Sequence, residues 1–135
     1  MNPTELSDYG TRYAQAWSSQ DPQRVAAFFA EGGSLKVNDD APAVGRAAIT
    51  NVAQGFLTAF PDMVVTMDEI VPRADGAVFH WTFTGTNTGP GGRGRRVRFS
   101  GHEEWTFAAD GLVAGSLGHF DAAEYAHQLE HGVDG

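Results

Sequence analysis

At Pro61 the hydrophobic period of the chain changes from that of helices to that of strands, and this single change restricts the fold to one class. Ahead of it, Asn2-Pro3-Thr4-Glu5 has the form of a helix start, with Asn as cap, Pro at the first helical position and Glu three residues after the cap. Leu6, Tyr9, Tyr13 and Trp17 then recur at helical spacing and predict a buried stripe on a helix reaching about Ser19. Asp21-Pro22 repeats the start signal for a shorter helix carrying Val25, Phe28 and Phe29, ended by Gly32-Gly33. A short strand over 34–37 and a turn-rich link over 38–42 lead to Gly45-Arg46. There a third helix opens, with Ile49, Val52, Phe56, Leu57 and Phe60 on its apolar side.

Beyond Pro61, residues 63–71, 77–87, 95–108 and 112–120 are rich in β-branched and aromatic side chains and are separated by turn signals such as Asp75-Gly76. Asp121-Ala122-Ala123-Glu124 is a capping-box signature for a last helix running to about His131. Helices first and long sequential strands afterwards predict an α+β domain with a mostly antiparallel sheet, one face of which the helices must cover. At 135 residues the chain fits a single domain, 1–135.

The turns also predict register. Asp110-Gly111 between alternating runs signals a tight hairpin, because both residues tolerate the positive φ that a two-residue turn needs. With Ala109 opposite Leu112, His102 falls opposite His119 and Ser100 opposite Asp121. A second hairpin with its tip near Gly91 sets His80 opposite His102, giving a row His80, His102, His119 with Asp121 beside it. A carboxylate flanked by imidazoles can serve as an acid/base with groups to orient it or to donate to an oxyanion. The opposite strand face carries Phe79, Trp81, Phe83, Phe99, Trp105, Phe107 and Phe120, a better core, so alternation sends the histidines outward unless a bulge at Gly101 turns them in.

Composition narrows the partners. A formal charge of −8 disfavours nucleic acid and anionic membranes. Arg93, Arg95, Arg96 and Arg98 form a local exception, read either as a solvated hairpin tip or as a grip on an anionic ligand. There is no cysteine, hence neither a disulfide framework nor a thiolate nucleophile. No secretion signal or membrane-length apolar run is present, so a cytoplasmic protein is expected. His102-Glu103-Glu104 lacks the spacing of a helical zinc motif, and no phosphate loop or nucleophile elbow is found, so neither metal nor cofactor is assigned.

Trp17 in the first helix, Phe60-Pro61-Asp62 ending the third, Gly85-Thr86-Asn87-Thr88-Gly89 after a strand and Asp110-Gly111 before the last strand together resemble the SnoaL-like polyketide cyclases. These belong to the nuclear transport factor two-like superfamily, with ketosteroid isomerase and scytalone dehydratase. Asn87 stands where the family's Gly-Thr-His motif has its histidine, and Gly92-Arg93-Gly94-Arg95 replaces the usual Pro-Thr-Gly loop. The resemblance implies a cone of curved sheet wrapped around the helices, a pocket for a hydrophobic small molecule and a homodimer formed through the sheet. It further implies a cofactor-independent enzyme that removes a proton next to a carbonyl, with Asp121 as acid/base and His119, His102 and His80 as helpers. Tyr13, Trp17, Asn38, Phe56, Phe60, Trp81 and Trp105 would shape the pocket. Two alternatives accompany it, a dehydratase of the scytalone dehydratase type using His80 and His102, and a non-catalytic ligand-binding or dimeric scaffold domain.

Overall fold

The computed structural model describes residues 1–134. Its first helix, α1 (Pro3–Trp17), begins with the expected capping box: Glu5 N donates to Asn2 Oδ1 at 2.8 Å, and Asn2 N donates to Glu5 Oε1 at 3.1 Å. Asp21 caps α2 (Pro22–Ala26), and α3 spans Arg46–Ala59. The sheet is built from β1 (Phe29–Val37), β2 (Ala43–Val44), β3 (Val64–Arg73), β4 (Gly76–Thr86), β5 (Arg96–Phe107) and β6 (Val113–Phe120). The last helix, α4 (Ala122–His131), follows directly.

One boundary differs from the sequence reading. Phe29 opens β1 instead of continuing the second helix, because it pairs with Val113 of β6 in a parallel ladder. The ladder shifts register between Phe29 and Ser34, so Gly32-Gly33 mark an irregularity inside a strand and not the end of a helix. Glycine is needed there: a Cβ on Gly33 would stand 2.9 Å from the carbonyl oxygens of both Ala30 and Val113.

The six strands lie in the order β2-β1-β6-β5-β4-β3, antiparallel except for the β1–β6 pair, and the sheet is open at both edges. This is the expected α+β architecture. Period-2 alternation decides what each face holds. Phe79, Phe83, Phe99 and Trp105 project to the inner face and are buried there under the helices, where α1 contributes Leu6, Tyr9, Tyr13 and Ala16. Phe79 and Trp105 stack with ring centroids 4.9 Å apart, and Tyr13 meets both edge-on. Burying each such ring contributes about 1.5–3 kcal/mol, which ties the helices to the sheet through this aromatic layer.

A second cluster, Phe60, Met63, Phe83, Val97 and Phe99, lies toward the far end of the sheet, and Tyr125 and Leu129 of α4 close it. Here β5 runs on past the last β6 pairing, Gly101 with Phe120. The Gln128 side chain takes over from the missing strand. It accepts from Arg98 N at 2.7 Å through Oε1 and donates to Arg98 O at 2.9 Å through Nε2, so a buried amide satisfies both backbone groups.

Candidate active site

The buried inner face is apolar apart from Glu103 and Ser116. Glu103 has the inward parity of Phe99 and Trp105 on β5, and it is 7% exposed. Three donors converge on its Oε1: Ser116 Oγ at 2.6 Å, Tyr13 Oη at 2.9 Å and Trp105 Nε1 at 3.1 Å. Oε2 takes no part in these bonds. Burial pushes the Glu103 carboxyl above the ordinary carboxylate range, and the bonds from Ser116, Trp105 and Tyr13 only partly oppose it. Tyr13 moves in the same direction for a related reason, since burial and then the charge of Glu103 both disfavour its phenolate.

Glu103 reaches the wall of a cavity of about 60 Å³ whose other lining is apolar. Trp17 and Phe56 come from the helices, Leu35 and Val37 from β1, and Trp81, Phe83, Phe99 and Phe120 from the sheet. Opposite Glu103 the partner on β6 is Gly118, which brings no side chain to cover the carboxyl. Gly101 does similar work for Trp81. A Cβ there would lie 2.6 Å from Trp81 Cζ2 and 2.3 Å from His119 O, so only glycine lets the indole lie across β5. Trp81 Nε1 is buried with no hydrogen-bond partner among the described residues, and so is Trp17 Nε1, although the latter lies near enough to Tyr13 to favour its ionised form. Unpaired buried donors are costly, and an acceptor entering the cavity that both rings line would offer them a partner.

The expected site residues divide between the two faces. Trp17, Phe56 and Trp81 line the cavity. Tyr13 and Trp105 lie beneath it and hold Glu103. Phe60 is wholly buried in the second cluster, outside the lining. Asn38, at the end of β1, is bound to the end of the neighbouring β6, where its Oδ1 accepts from Phe120 N at 2.9 Å.

The histidine row forms in the expected register, His80 opposite His102 and His102 opposite His119, on the outer face away from the cavity. His119 Nε2 pairs with Glu104 Oε2 at 2.8 Å. Burial and the neighbouring charges of His119 and His80 hold His102 below the ordinary histidine value, against the pull of Glu104. Asp121 is exposed and caps α4, Oδ1 accepting from Glu124 N at 3.0 Å, and it is not among the residues that line the cavity. The Asp121 side chain and the three imidazoles therefore do not meet the carboxyl at the cavity. The sequence reading passed over Glu103, though the signal was present: it is the one carboxylate at an inward position of β5.

A family model for the SnoaL-like domain matches residues 11–116, most of the chain. The chain belongs to the SnoaL-like domain family. Solved structures with the same fold accord with this. A protein of ketosteroid isomerase-like fold from Catenulispora acidiphila, determined in complex with trimethylamine, superposes with a TM-score of 0.81 at 14% identity, covering 91% of this chain and 92% of that one. A protein from Jannaschia sp. CCS1 described as a SnoaL-like polyketide cyclase gives 0.80 at 20% identity, over 96% and 94% of the two chains. AclR from Streptomyces galilaeus gives 0.79 at 23% identity, over 95% and 97%. Among curated proteins none matches the chain. At such identities the likeness of this SnoaL-like domain to its neighbours concerns the fold. No helix among the described residues is long and apolar enough to cross a membrane.

Proposed function

We propose that this SnoaL-like domain acts on a small apolar ketone, moving a proton at the carbon next to the carbonyl, with Glu103 as the acid/base. The observation that carries the reading is a buried carboxyl, fixed through one oxygen by three donors, at the wall of an apolar cavity that also holds unpartnered indole N–H groups. Oε1 is immobilised and Oε2 is left to take and return the proton. An ionised Glu103 removes the α-proton, the C–H electron pair forms a C=C bond, and the carbonyl π pair moves onto oxygen as an enolate. The indole N–H of Trp81 or of Trp17, both at the cavity wall, donates to that oxygen. Where the ketone carries a β,γ double bond, the neutral carboxyl returns its proton to the γ-carbon and the double bond moves into conjugation; where a second carbonyl is present, the enolate carbon attacks it, its π pair becomes an alkoxide, and the carboxyl gives its proton to that alkoxide. Burial suits both steps, since a raised carboxyl pKa brings proton affinity closer to that of the substrate.

This reading transfers the acid/base role expected of Asp121 to a residue in contact with the cavity. Dehydration assisted by His80 and His102 would instead require substrate on the opposite face of the sheet. The cavity is also far smaller than the ~300–1,000 Å³ typical of small-molecule sites, so a bicyclic ligand must displace the rings of Trp17 or Phe56. That small volume supports a second reading, a binding domain without turnover.

One experiment separates the two. Exchange of the α-hydrogens of β-tetralone in heavy water, followed by NMR, reports proton removal without knowledge of the natural product. The native chain should accelerate exchange over buffer, and Glu103→Gln should lower that acceleration by about 10²-fold or more while retaining tetralone binding. Undiminished exchange in the variant would exclude Glu103, and binding with no exchange in the native chain would favour the binding domain.

A further inference from the structure

We propose that His102, Glu104 and His119 form a binding site for a divalent transition metal on the outer face of the sheet, opposite the Glu103 cavity. The placement follows from strand geometry. His102 and Glu104 are two residues apart on β5 and share a face, and His119 is the β6 partner of His102. The His102 and His119 rings overlap with centroids 4.8 Å apart and planes inclined by 28°, while His119 Nε2 is 2.8 Å from Glu104 Oε2. One ligand atom from each of the three residues lies within 4.8 Å of the others. Around a tetrahedral ion with bonds of 2.0–2.1 Å the ligand atoms stand about 3.3 Å apart, so side-chain rotation on a fixed backbone closes the site.

The donor set selects the ion. Two imidazoles and one carboxylate suit zinc, cobalt or nickel, whereas magnesium and calcium prefer oxygen ligands throughout. Both Glu104 and His119 side chains are 45% exposed, which leaves a path from solvent. A further cavity of about 200 Å³ adjoins His102 and Glu104 and is bounded by Val71, Arg73, Val78 and His80, with space for the remaining coordination positions. His80 of β4 pairs with His102 of β5, with ring centroids 5.7 Å apart, and offers a fourth ligand.

The test is titration of the full chain with cobalt(II), read by visible absorption, and with zinc(II), read by calorimetry. A second histidine pair, His127 and His131, lies one turn apart on α4 with ring centroids 4.7 Å apart, so the titrations use a His127→Ala/His131→Ala background to exclude it. One ion per chain should bind, with cobalt absorption typical of mixed nitrogen and oxygen ligation and no competition from an equal concentration of magnesium. His102→Ala and His119→Ala should each weaken binding at least about tenfold, with circular dichroism unchanged, because loss of a ligand exceeds the effect of losing a supporting contact. Glu104→Gln, which keeps shape and polarity, should weaken it as well. No binding in the background protein, or full affinity in both histidine variants, would overturn the site.

Discussion

Tyr13 and Glu103, ninety residues apart in sequence, share a hydrogen bond of 2.9 Å from the phenol to Oε1. It joins the middle of α1 to the middle of β5 inside a layer of aromatic rings. Ring contacts alone tolerate a small slide of helix over sheet; a directed polar bond in a dry layer does not. The bond therefore fixes where the helix lies and which way the carboxyl points.

Tyr13→Phe keeps the ring and removes the donor. Glu103 retains Ser116 and Trp105, so the loss of stability should be about 0.5–1.5 kcal/mol in urea unfolding, well short of a cavity-forming substitution. The Glu103 carboxyl should move further up, because one of the bonds favouring its charged form is gone, and its side-chain carbon resonance would report this in a pH titration.

Glu103→Gln should change the pH dependence of stability. Because burial raises the folded-state value above the ordinary 4.5, the native chain holds this proton more tightly than the unfolded chain does. The contribution is fully present below pH 4.5 and is lost as pH rises through the folded-state value. The amide has no such term. Thermal unfolding measured across pH should therefore show Glu103→Gln gaining on the native chain through this window and then running parallel to it; a constant difference would mean that Glu103 titrates as in water.

Gly101→Ala should disturb the cavity from its own side of the sheet, because the new Cβ has the inward parity of Glu103 and meets Trp81. Its Cβ would stand 2.3 Å from His119 O, where the obstacle is backbone, and 2.6 Å from the Trp81 ring. A destabilisation of about 1–3 kcal/mol is expected, together with altered tryptophan emission as the indole is displaced. Unchanged emission and stability would show that Trp81 does not need the space.

Asp121 distinguishes capping from chemistry when two substitutions are compared. Asparagine also caps helices, so Asp121→Asn should stay within a few tenths of a kcal/mol of the native chain, while Asp121→Ala loses about 1 kcal/mol. Loss of tetralone exchange in Asp121→Asn at full stability would return the acid/base role to Asp121.

Much of the fold was legible because it is encoded locally. The capping box at Asn2, the stop at Pro61 and the glycine-rich tip that sets His80 opposite His102 are short-range signals. The Asp110-Gly111 turn differs from its reading, because Ala108 and not Ala109 stands opposite Leu112, and an irregularity between Thr106 and Phe107 restores the pairing of His102 with His119. The parallel pairing of β1 with β6 was not legible, because it joins distant segments and no turn connects them; for that reason Phe29 reads as helix. The site failed differently. Alternation alone puts Glu103 among Phe99 and Trp105, but a charged residue in an aromatic row reads as an interruption until its three donors are seen, and two of them, Tyr13 and Ser116, come from other elements.

The stop of β6 at Phe120 leaves the end of β5 without a strand on that side, and Gln128 occupies the place. An unpaired strand rim is a template on which a second polypeptide can add a strand. In this molecule the final helix serves as a stopper over the template, held at Arg98 by one side-chain amide and at Arg96 by the backbone N–H of Val133. Clipping the chain ahead of α4 would then do more than shorten it: it would uncover both the rim of β5 and the Phe60–Phe99 cluster beneath, adding a third strand edge to the two that the sheet already presents.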